Sequence, residues 1–299
     1  MTTTSTNLRV GFVGLGKMGL PMATRLLAAG YDVRALDTDP ARLAALPGAT
    51  SGRSLPELAA WAEIVVASLP DDKALRAVAL APEGLLAHLA PETVLVDTST
   101  VSPSLSSEIR RGQRGADRYL AAVVSGNNEA AAAGLLTSFC SGPPEAFVRA
   151  RPVLECFVRS ATLVGGAEEA RVLKLAINHF IGSAAQITAE AFTLARKGGV
   201  GWTTLLDAFE SSAAAIPLLA HKAGPLRRRD FTPTFTAPQM LKDMTLLVEA
   251  GDDLGVDMPV AHVVRDRFAR QAAGELAQLD FFAALLERER LAGIGEPEA

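Results

Sequence analysis

Six residues near the N-terminus, Gly14-Leu15-Gly16-Lys17-Met18-Gly19, place glycine at the spacing G-x-G-x-x-G. Such a loop does its chemistry through the main chain. Gly14 permits a tight turn, Gly16 lets backbone approach a pyrophosphate, and Gly19 lets the following helix pack closely on the preceding strand. Leu15, Lys17 and Met18 complete the loop, and Pro21 stands in the first helical turn, where its missing N–H does no harm. The unpaired amides of that helix start then face phosphate. Asp37, after the next apolar run, is spaced to accept hydrogen bonds from the hydroxyls of an adenosine ribose. A 2′-phosphate there meets Asp37 and Asp39 with no arginine in Asp37-Thr38-Asp39. Like charges repel at that range, so the spacing implies NAD over NADP.

The second candidate centre is Lys174, which interrupts the stretch VLKLAINHFIG, otherwise suited to burial. Asn178 lies four residues on, so the two side chains share one helical face. Burying an amine and an amide without partners costs a few kcal/mol, roughly. A cleft holding a substrate hydroxyl supplies the partner; periodicity alone also fits a lysine that snorkels to solvent. His179 sits about 100° round the helix from Asn178 and reads as a packed ring. Lys242 stands off the apolar stripe of its own helix, where pairing with a nearby acid is the simplest reading. His88, His221 and His262 are isolated, and Cys140 and Cys156 lack ligand spacing, so no metal is implied.

The elements around these residues fall into two rhythms. Short apolar runs at 8–13, 32–36, 64–69, 94–96, 120–124, 136–140 and 162–164 alternate with helix signals. Ser54-Leu55-Pro56-Glu57 has capping-box spacing, and Asp39-Pro40 joins an N-cap to proline at the first helical position. Apolar strands separated by helices imply a doubly wound, mostly parallel α/β sheet of Rossmann type. After about residue 166 only helical patterns remain, with a long run over 168–197 stopped by Gly198-Gly199. Residues 240–248 carry one apolar face and 281–290 another amphipathic segment. The expected division is therefore a nucleotide-binding domain over 1–165 and a helical substrate and dimerisation domain over 166–299, with the active site in the crevice beside the long helix.

Composition narrows the partners. The 299 residues carry a net charge of −4 with acids and bases interspersed, leaving no basic stripe for nucleic acid. Arg227-Arg228-Arg229 reads as a solvated turn. The stretch 175–189 is too short to span a bilayer and contains Asn178, His179 and Gln186. The polar start MTTTSTN is not expected to act as a signal peptide, the tail GIGEPEA is expected to fray, and a cytoplasmic protein with reduced cysteines is expected. The helical half exposes more leucine- and methionine-lined face than its helices can bury among themselves, which implies a homodimer or higher homo-oligomer.

Several motifs occur in order along the chain: GFVGLGKMGLPMATRLL at the start, SLP at 68–70, VDTSTVSP at 96–103, VSG at 124–126, KLAIN at 174–178 and LKDMTL at 241–246. In these the sequence resembles the β-hydroxyacid dehydrogenases, the family of 3-hydroxyisobutyrate dehydrogenase and glyoxylate/succinic semialdehyde reductase. The resemblance implies Lys174 as general acid and base and Asn178 as the residue that orients substrate. It places Thr100 near the nicotinamide, Leu69 and Pro70 on the adenosine side, and Lys242 near the nicotinamide ribose. Ser125, Gly126, Asn127 and Phe235 would line the substrate. The implied reaction moves hydride between NAD and a small 3-hydroxy acid or its semialdehyde, with desolvation favouring the neutral amine of Lys174 when it takes a proton.

Two stretches depart from the family. D-A-P-V-S-G-G becomes Ala121-Ala122-Val123-Val124-Ser125-Gly126-Asn127, and Glu168 and Ala170 replace usual glycines. Glu168 is expected to add negative charge where the family binds a carboxylate. Imine reductases and reductive aminases share the implied architecture but generally lack the lysine. A non-catalytic module that senses NAD is the third reading.

Overall fold

The computed structural model describes residues 8–113 and 117–296. The expected character of MTTTSTN and of the last three residues falls outside them. Contacts divide the chain into two units, Met1–Lys174 and Leu175–Ala299.

The first unit alternates strand and helix: β1 (Arg9–Val13), α1 (Gly19–Ala28), β2 (Asp32–Leu36), α2 (Pro40–Ala44), β3 (Thr50–Ser51), α3 (Leu55–Trp61), β4 (Ile64–Ala67), α4 (Asp72–Leu80), α5 (Leu85–His88), β5 (Val94–Asp97), α6 (Pro103–Gly112), β6 (Tyr119–Ser125), α7 (Asn128–Ala133), β7 (Leu136–Ser141), α8 (Pro144–Leu154) and β8 (Val158–Gly165). The eight strands form one sheet in the order β3-β2-β1-β4-β5-β6-β7-β8. Only the β6–β7 pair is antiparallel. Every residue of β4 and β5 is buried, as expected of parallel strands covered on both faces. Both helix starts are capped: Ser54 accepts from the Glu57 amide at 3.3 Å and Asp39 from the Ala41 amide at 2.9 Å, but the Glu57 side chain lies 3.5 Å from Arg34, so only the serine half of the capping box forms. The two-residue β3 has no apolar alternation and is not legible in the sequence.

This strand order fixes where a ligand can lie. The chain leaves β1 toward β2 and β3, then resumes at β4 on the other side of β1. Open α/β sheets bind ligands outside the carboxyl ends of their strands at such a reversal. The segments that follow β1, β2, β4 and β5 carry the glycine loop, Asp37, Leu69-Pro70 and Thr100, and β6 ends on Ser125 with Gly126 next.

A continuous helix, α9 (Glu169–Lys197), runs from the first unit into the second. The second unit adds α10 (Trp202–Ser211), α11 (Pro217–Arg227), α12 (Ala237–Leu254), α13 (Pro259–Ala273), a 3-10 turn (Phe281–Ala283) and α14 (Ala284–Leu291). Its core gathers Phe192 of α9, Met240, Met244 and Leu247 of α12, Phe268 of α13, and Phe281. Phe192 meets Trp202 and Phe209 edge-on, at ring separations of 5.8 and 4.7 Å.

Two expectations fail in this unit. Arg227-Arg228-Arg229 is no merely solvated turn. Arg229, at φ 54°, forks onto both oxygens of the buried Glu289, and Arg227 bonds Asp207 and Glu210. A planar guanidinium matched to a carboxylate gains more than hydration offers a charged turn. Nor is the described part of the tail wholly loose, since Arg196 donates to the Gly295 carbonyl at 2.9 Å.

Candidate active site

The glycine loop shows two different uses of glycine. A Cβ on Gly14, whose φ is +92°, would fall 2.3 Å from the Ser68 carbonyl oxygen, and one on Gly19 would fall 1.9 Å from the Gly14 oxygen. These two are glycine because the fold closes around them. A Cβ on Gly16 would meet only the Arg42 guanidinium, at 3.9 Å, so the backbone there borders open space. The following helix starts without a side-chain cap at Met18. An open loop amide beside an uncapped helix start suits a pyrophosphate. The loop residues Gly14 to Gly19, with Leu69, Pro70 and Thr100 on the adjoining strand ends, fit a dinucleotide.

Asp37 is more deeply engaged than its spacing suggests. Its carboxylate accepts from the Leu15 amide at 2.6 Å and the Asp39 amide at 2.8 Å, and the side chain is 4% exposed. It therefore ties the end of β2 to the glycine loop, and a ribose would share its remaining lone pairs. Arg42, on α2, stands 3.6 Å from Asp37 and 3.5 Å from Asp39. No arginine lies within Asp37-Thr38-Asp39, but the first turn of α2 folds one back over that triplet.

The loop after β5 is held from below. Ser99 accepts from the Leu69 amide at 2.9 Å, linking the two strand-end segments. Asp97 accepts from the Ser99 amide at 3.0 Å and from the Tyr119 hydroxyl at 3.0 Å. Arg171, in the first turn of α9, is 1% exposed and donates to Asp97, to the Ser99 carbonyl, to Tyr119 and to Ser106. Burial works against the Arg171 charge, yet Asp97 and Tyr119 outweigh it and leave the guanidinium more firmly protonated than usual. Burial raises the Tyr119 phenol above its ordinary range. Lys174 follows one turn later, half-buried.

At the end of β6, Ser125 is half-buried and Gly126 adopts φ +131°, where a Cβ would meet Leu136 at 2.7 Å. Asn127 caps α7, its side-chain oxygen accepting from the Ala130 amide at 2.9 Å. The resemblance gives it a substrate role; the geometry gives it a capping one. Ala121, Val123 and Ala170 are fully buried and pack in the core. Glu168 accepts from Ser107 at 3.1 Å and lies 3.7 Å from Arg110, whose nearer partner is Asp117 at 2.5 Å, so two carboxylates share one guanidinium beside α6 and the expected negative charge is only partly offset.

In the second unit, Asn178 is 5% exposed and its amide donates to Asp243 Oδ2 at 2.6 Å. Lys242 lies 2.8 Å from the other Asp243 oxygen, but off the hydrogen-bond direction, so that contact is chiefly electrostatic. Asp243 was missed in the sequence, although an acid three residues after Met240 and four before Leu247 falls inside an apolar stripe. His179 meets the Ser183 hydroxyl at 3.3 Å, and burial lowers its pKa. Phe235 stacks edge-on to Phe281 at 6.1 Å, in a loop whose Thr234 amide is held by Asp280. Among the described residues no three His, Cys, Asp or Glu side chains could hold a metal, and no helix is long and apolar enough to cross a membrane.

Residues 9–166 match the model for the NAD binding domain of 6-phosphogluconate dehydrogenase. Residues 169–287 match that for the NAD-binding of NADP-dependent 3-hydroxyisobutyrate dehydrogenase. The chain is 31% identical to an NAD-dependent L-serine dehydrogenase of Pseudomonas aeruginosa, over 91% of this chain and 95% of that one. A solved Mycobacterium tuberculosis 3-hydroxyisobutyrate dehydrogenase with L-serine superposes with a TM-score of 0.84 at 30% identity, covering 94% of this chain and 99% of that one. An imine reductase from a Pseudomonas species superposes at 0.59 with 19% identity, covering 95% and 99%; at that distance the likeness is one of fold.

Proposed function

The chain belongs to the β-hydroxyacid dehydrogenase family, and on that premise we propose that it oxidises a small 3-hydroxy acid to the semialdehyde, or runs the reverse, with Lys174 as general acid and base. The supporting observation is on α9: Lys174 and Asn178 stand four residues apart, and the buried Asn178 amide is aimed by Asp243 rather than left to rotate. A bound nicotinamide coenzyme supplies or accepts the hydride. The protein aligns the reactants, moves one proton and steadies oxyanion character. Lys174 takes the hydroxyl proton in oxidation and donates to the nascent alkoxide in reduction. Asn178 holds the same oxygen in line, and Ser125 with the Gly126 backbone receives the acid group. The relatives' names, L-serine dehydrogenase and 3-hydroxyisobutyrate dehydrogenase, make β-hydroxy acids with a short carbon chain the first substrates to try.

NAD is the favoured coenzyme because the carboxylates of Asp37 and Asp39 outnumber the one guanidinium of Arg42 beside them, which leaves that corner net negative toward a 2′-phosphate. The two cysteines are free thiols, in keeping with a cytoplasmic site of action. Phe180, Ile187 and Leu194, at seven-residue intervals along α9, are 62%, 63% and 75% exposed, and a second copy of the chain is the partner that covers such a stripe. We assign coenzyme binding chiefly to residues 1–165 and substrate binding and assembly to residues 166–299; the model matched over 9–166 is an NAD binding domain, and the one matched over 169–287 is NAD-binding as well.

The deciding experiment is an absorbance assay of NAD reduction over L-serine, 3-hydroxyisobutyrate and cyclic amines, with Lys174→Ala as the control. Turnover of a hydroxy acid that falls by at least a thousandfold in Lys174→Ala, with coenzyme affinity retained, supports the reading. Undiminished turnover in the variant, or oxidation of amines alone, overturns it.

A further inference from the structure

The buried guanidinium of Arg171 has no part in binding coenzyme or substrate by the reading above, yet its surroundings are too specific for a space-filling residue. Its Nε donates to Ser106 at 2.8 Å and one terminal nitrogen to the Tyr119 hydroxyl at 2.7 Å. The same nitrogen reaches Asp97, and the other reaches the main-chain carbonyl of Ser99. Four groups from β5, the loop after it, α6 and β6 thus converge on one side chain of α9. Asp97 and Ser106 are wholly buried, as is Tyr119, and the charge of Arg171 is balanced by Asp97 alone among the ionised groups it touches.

Two features of this arrangement bear on the reaction. The Ser99 carbonyl belongs to the peptide that joins Ser99 to Thr100, so Arg171 grips the main chain at the residue assigned to the nicotinamide side. Arg171 also precedes Lys174 by three positions, which stacks the two on adjacent turns of one helix face. One end of the guanidinium fork therefore fixes the loop, while the helix that carries it fixes the amine. We propose that Arg171 is a positioning residue, setting the Lys174 turn of α9 against the Thr100 loop so that the proton-handling amine and the nicotinamide side of the site keep a constant separation. A second feature supports this. Ser99 accepts from the Leu69 amide through its hydroxyl oxygen at 2.9 Å while Asp97 takes the Ser99 amide at 3.0 Å, so its side chain and backbone N–H each have a fixed partner, and its carbonyl is held by Arg171. A lysine at this position would retain the charge beside Asp97 but lacks the planar fork that reaches four partners at once.

The inference rests on Lys174 as the acid–base group, and the experiment separates the two. Arg171→Lys is compared with wild type and with Leu154→Ala, a fully buried truncation on α8, away from the loop. The substrate is whichever of L-serine or 3-hydroxyisobutyrate wild type turns over; both are assayed with NAD well below the melting point. The expected result is a kcat at least tenfold lower in Arg171→Lys, a KM for NAD within about threefold of wild type, and a larger kinetic isotope effect with substrate deuterated at the carbinol carbon. Leu154→Ala should lose comparable thermal stability and keep its kcat. Equal kcat in Arg171→Lys and Leu154→Ala overturns the inference. Where Arg171→Lys does not fold, the neutral pair Arg171→Gln with Asp97→Asn is read the same way. Ser106→Ala, the mildest cut, serves if that also fails: about a threefold fall in kcat supports the role, and an unchanged kcat overturns it. Lys174→Ala runs alongside, and full turnover there defeats the functional reading itself, whatever Arg171 does.

Discussion

The Asn178 side-chain amide donates to one oxygen of Asp243 at 2.6 Å, while the other oxygen lies 2.8 Å from the Lys242 ammonium. One buried carboxylate thus serves two residues assigned to different partners, substrate for Asn178 and coenzyme ribose for Lys242. Its place between them gives it leverage over both.

Asp243→Asn should therefore separate the two roles. An asparagine can turn its oxygen toward Asn178, which keeps that hydrogen bond, but then presents an amide to Lys242. The contact between Lys242 and Asp243 is an ion pair rather than a hydrogen bond, and with Lys242 partly exposed such a pair contributes up to about 1 kcal/mol, so coenzyme affinity should fall by up to about fivefold. The KM for substrate should move less. Coenzyme titration by fluorescence quenching checks this, and an unchanged dissociation constant would refute the link between Asp243 and the coenzyme.

The three glycines of the loop should respond differently to alanine. Gly14→Ala and Gly19→Ala force a methyl to within 2.3 and 1.9 Å of backbone oxygens and should lower the melting temperature of the apo protein sharply. Gly16→Ala meets nothing closer than 3.9 Å and should leave the apo protein as stable as wild type. It should still lose most of the stabilisation that saturating NAD provides, because the methyl occupies the space a pyrophosphate needs. Melting curves with and without NAD test all three. Equal loss of apo stability across the set would mean that Gly16 is structural too.

How far this was legible in the sequence depends on the distance over which each interaction acts. The glycine loop and its flanking strand and helix were readable because a turn of six residues carries its own constraint. So was the mostly parallel sheet, from the uninterrupted apolar runs that became β4 and β5. Arg42 was not, since its approach to Asp37 depends on α2 folding back after Asp39. Nor was the company of Glu168, which shares Arg110, 58 positions earlier in sequence on α6, with Asp117. Arg171 and Asp243 interrupt apolar helix faces, and that interruption is a signal of a buried partner, though not of which partner.

Arg42 gives the coenzyme preference a test of its own. It stands between a carboxylate pair that repels a 2′-phosphate and a loop that borders open space, and its side chain is about half exposed. Whatever NADP activity the enzyme has should depend on this guanidinium. Arg42→Ala should raise the KM for NADP at least tenfold and that for NAD by no more than about threefold. Equal changes for both coenzymes would place Arg42 outside 2′-phosphate recognition.

The ion pair beneath the Phe235 loop should matter for stability. Lys222 donates to both oxygens of Asp280 at 2.8 Å and to Thr234 at 3.0 Å, with both charged side chains nearly buried. Removing Lys222 takes the counter-charge from Asp280, which keeps only the Thr234 and Phe282 donors, at a cost of about 3 kcal/mol. Lys222→Met should lower the melting temperature by roughly 10 °C. Adding Asp280→Asn removes the stranded charge and should recover part of the loss. Thermal denaturation of the single and double variants measures this, and a double variant less stable than Lys222→Met would contradict it.

The apolar stripe of α9 supplies the last prediction. Phe180, Ile187 and Leu194 expose more than 60% of their surface apiece, on a helix whose other faces bury Leu175, Gln186 and Phe192. A heptad interval is the spacing at which one helix presents a continuous seam to another, and a two-fold arrangement pairs the stripe with its own copy. Ile187→Glu sets a carboxylate at the middle of that seam. If two copies meet there, two such charges face each other across the axis, and desolvating them without partners should dissociate the assembly at micromolar concentration. Light scattering should report an oligomer for wild type and a monomer for Ile187→Glu, with the circular dichroism of both alike. A wild-type chain that is monomeric at those concentrations, or a variant that keeps the wild-type mass, would move the interface away from α9.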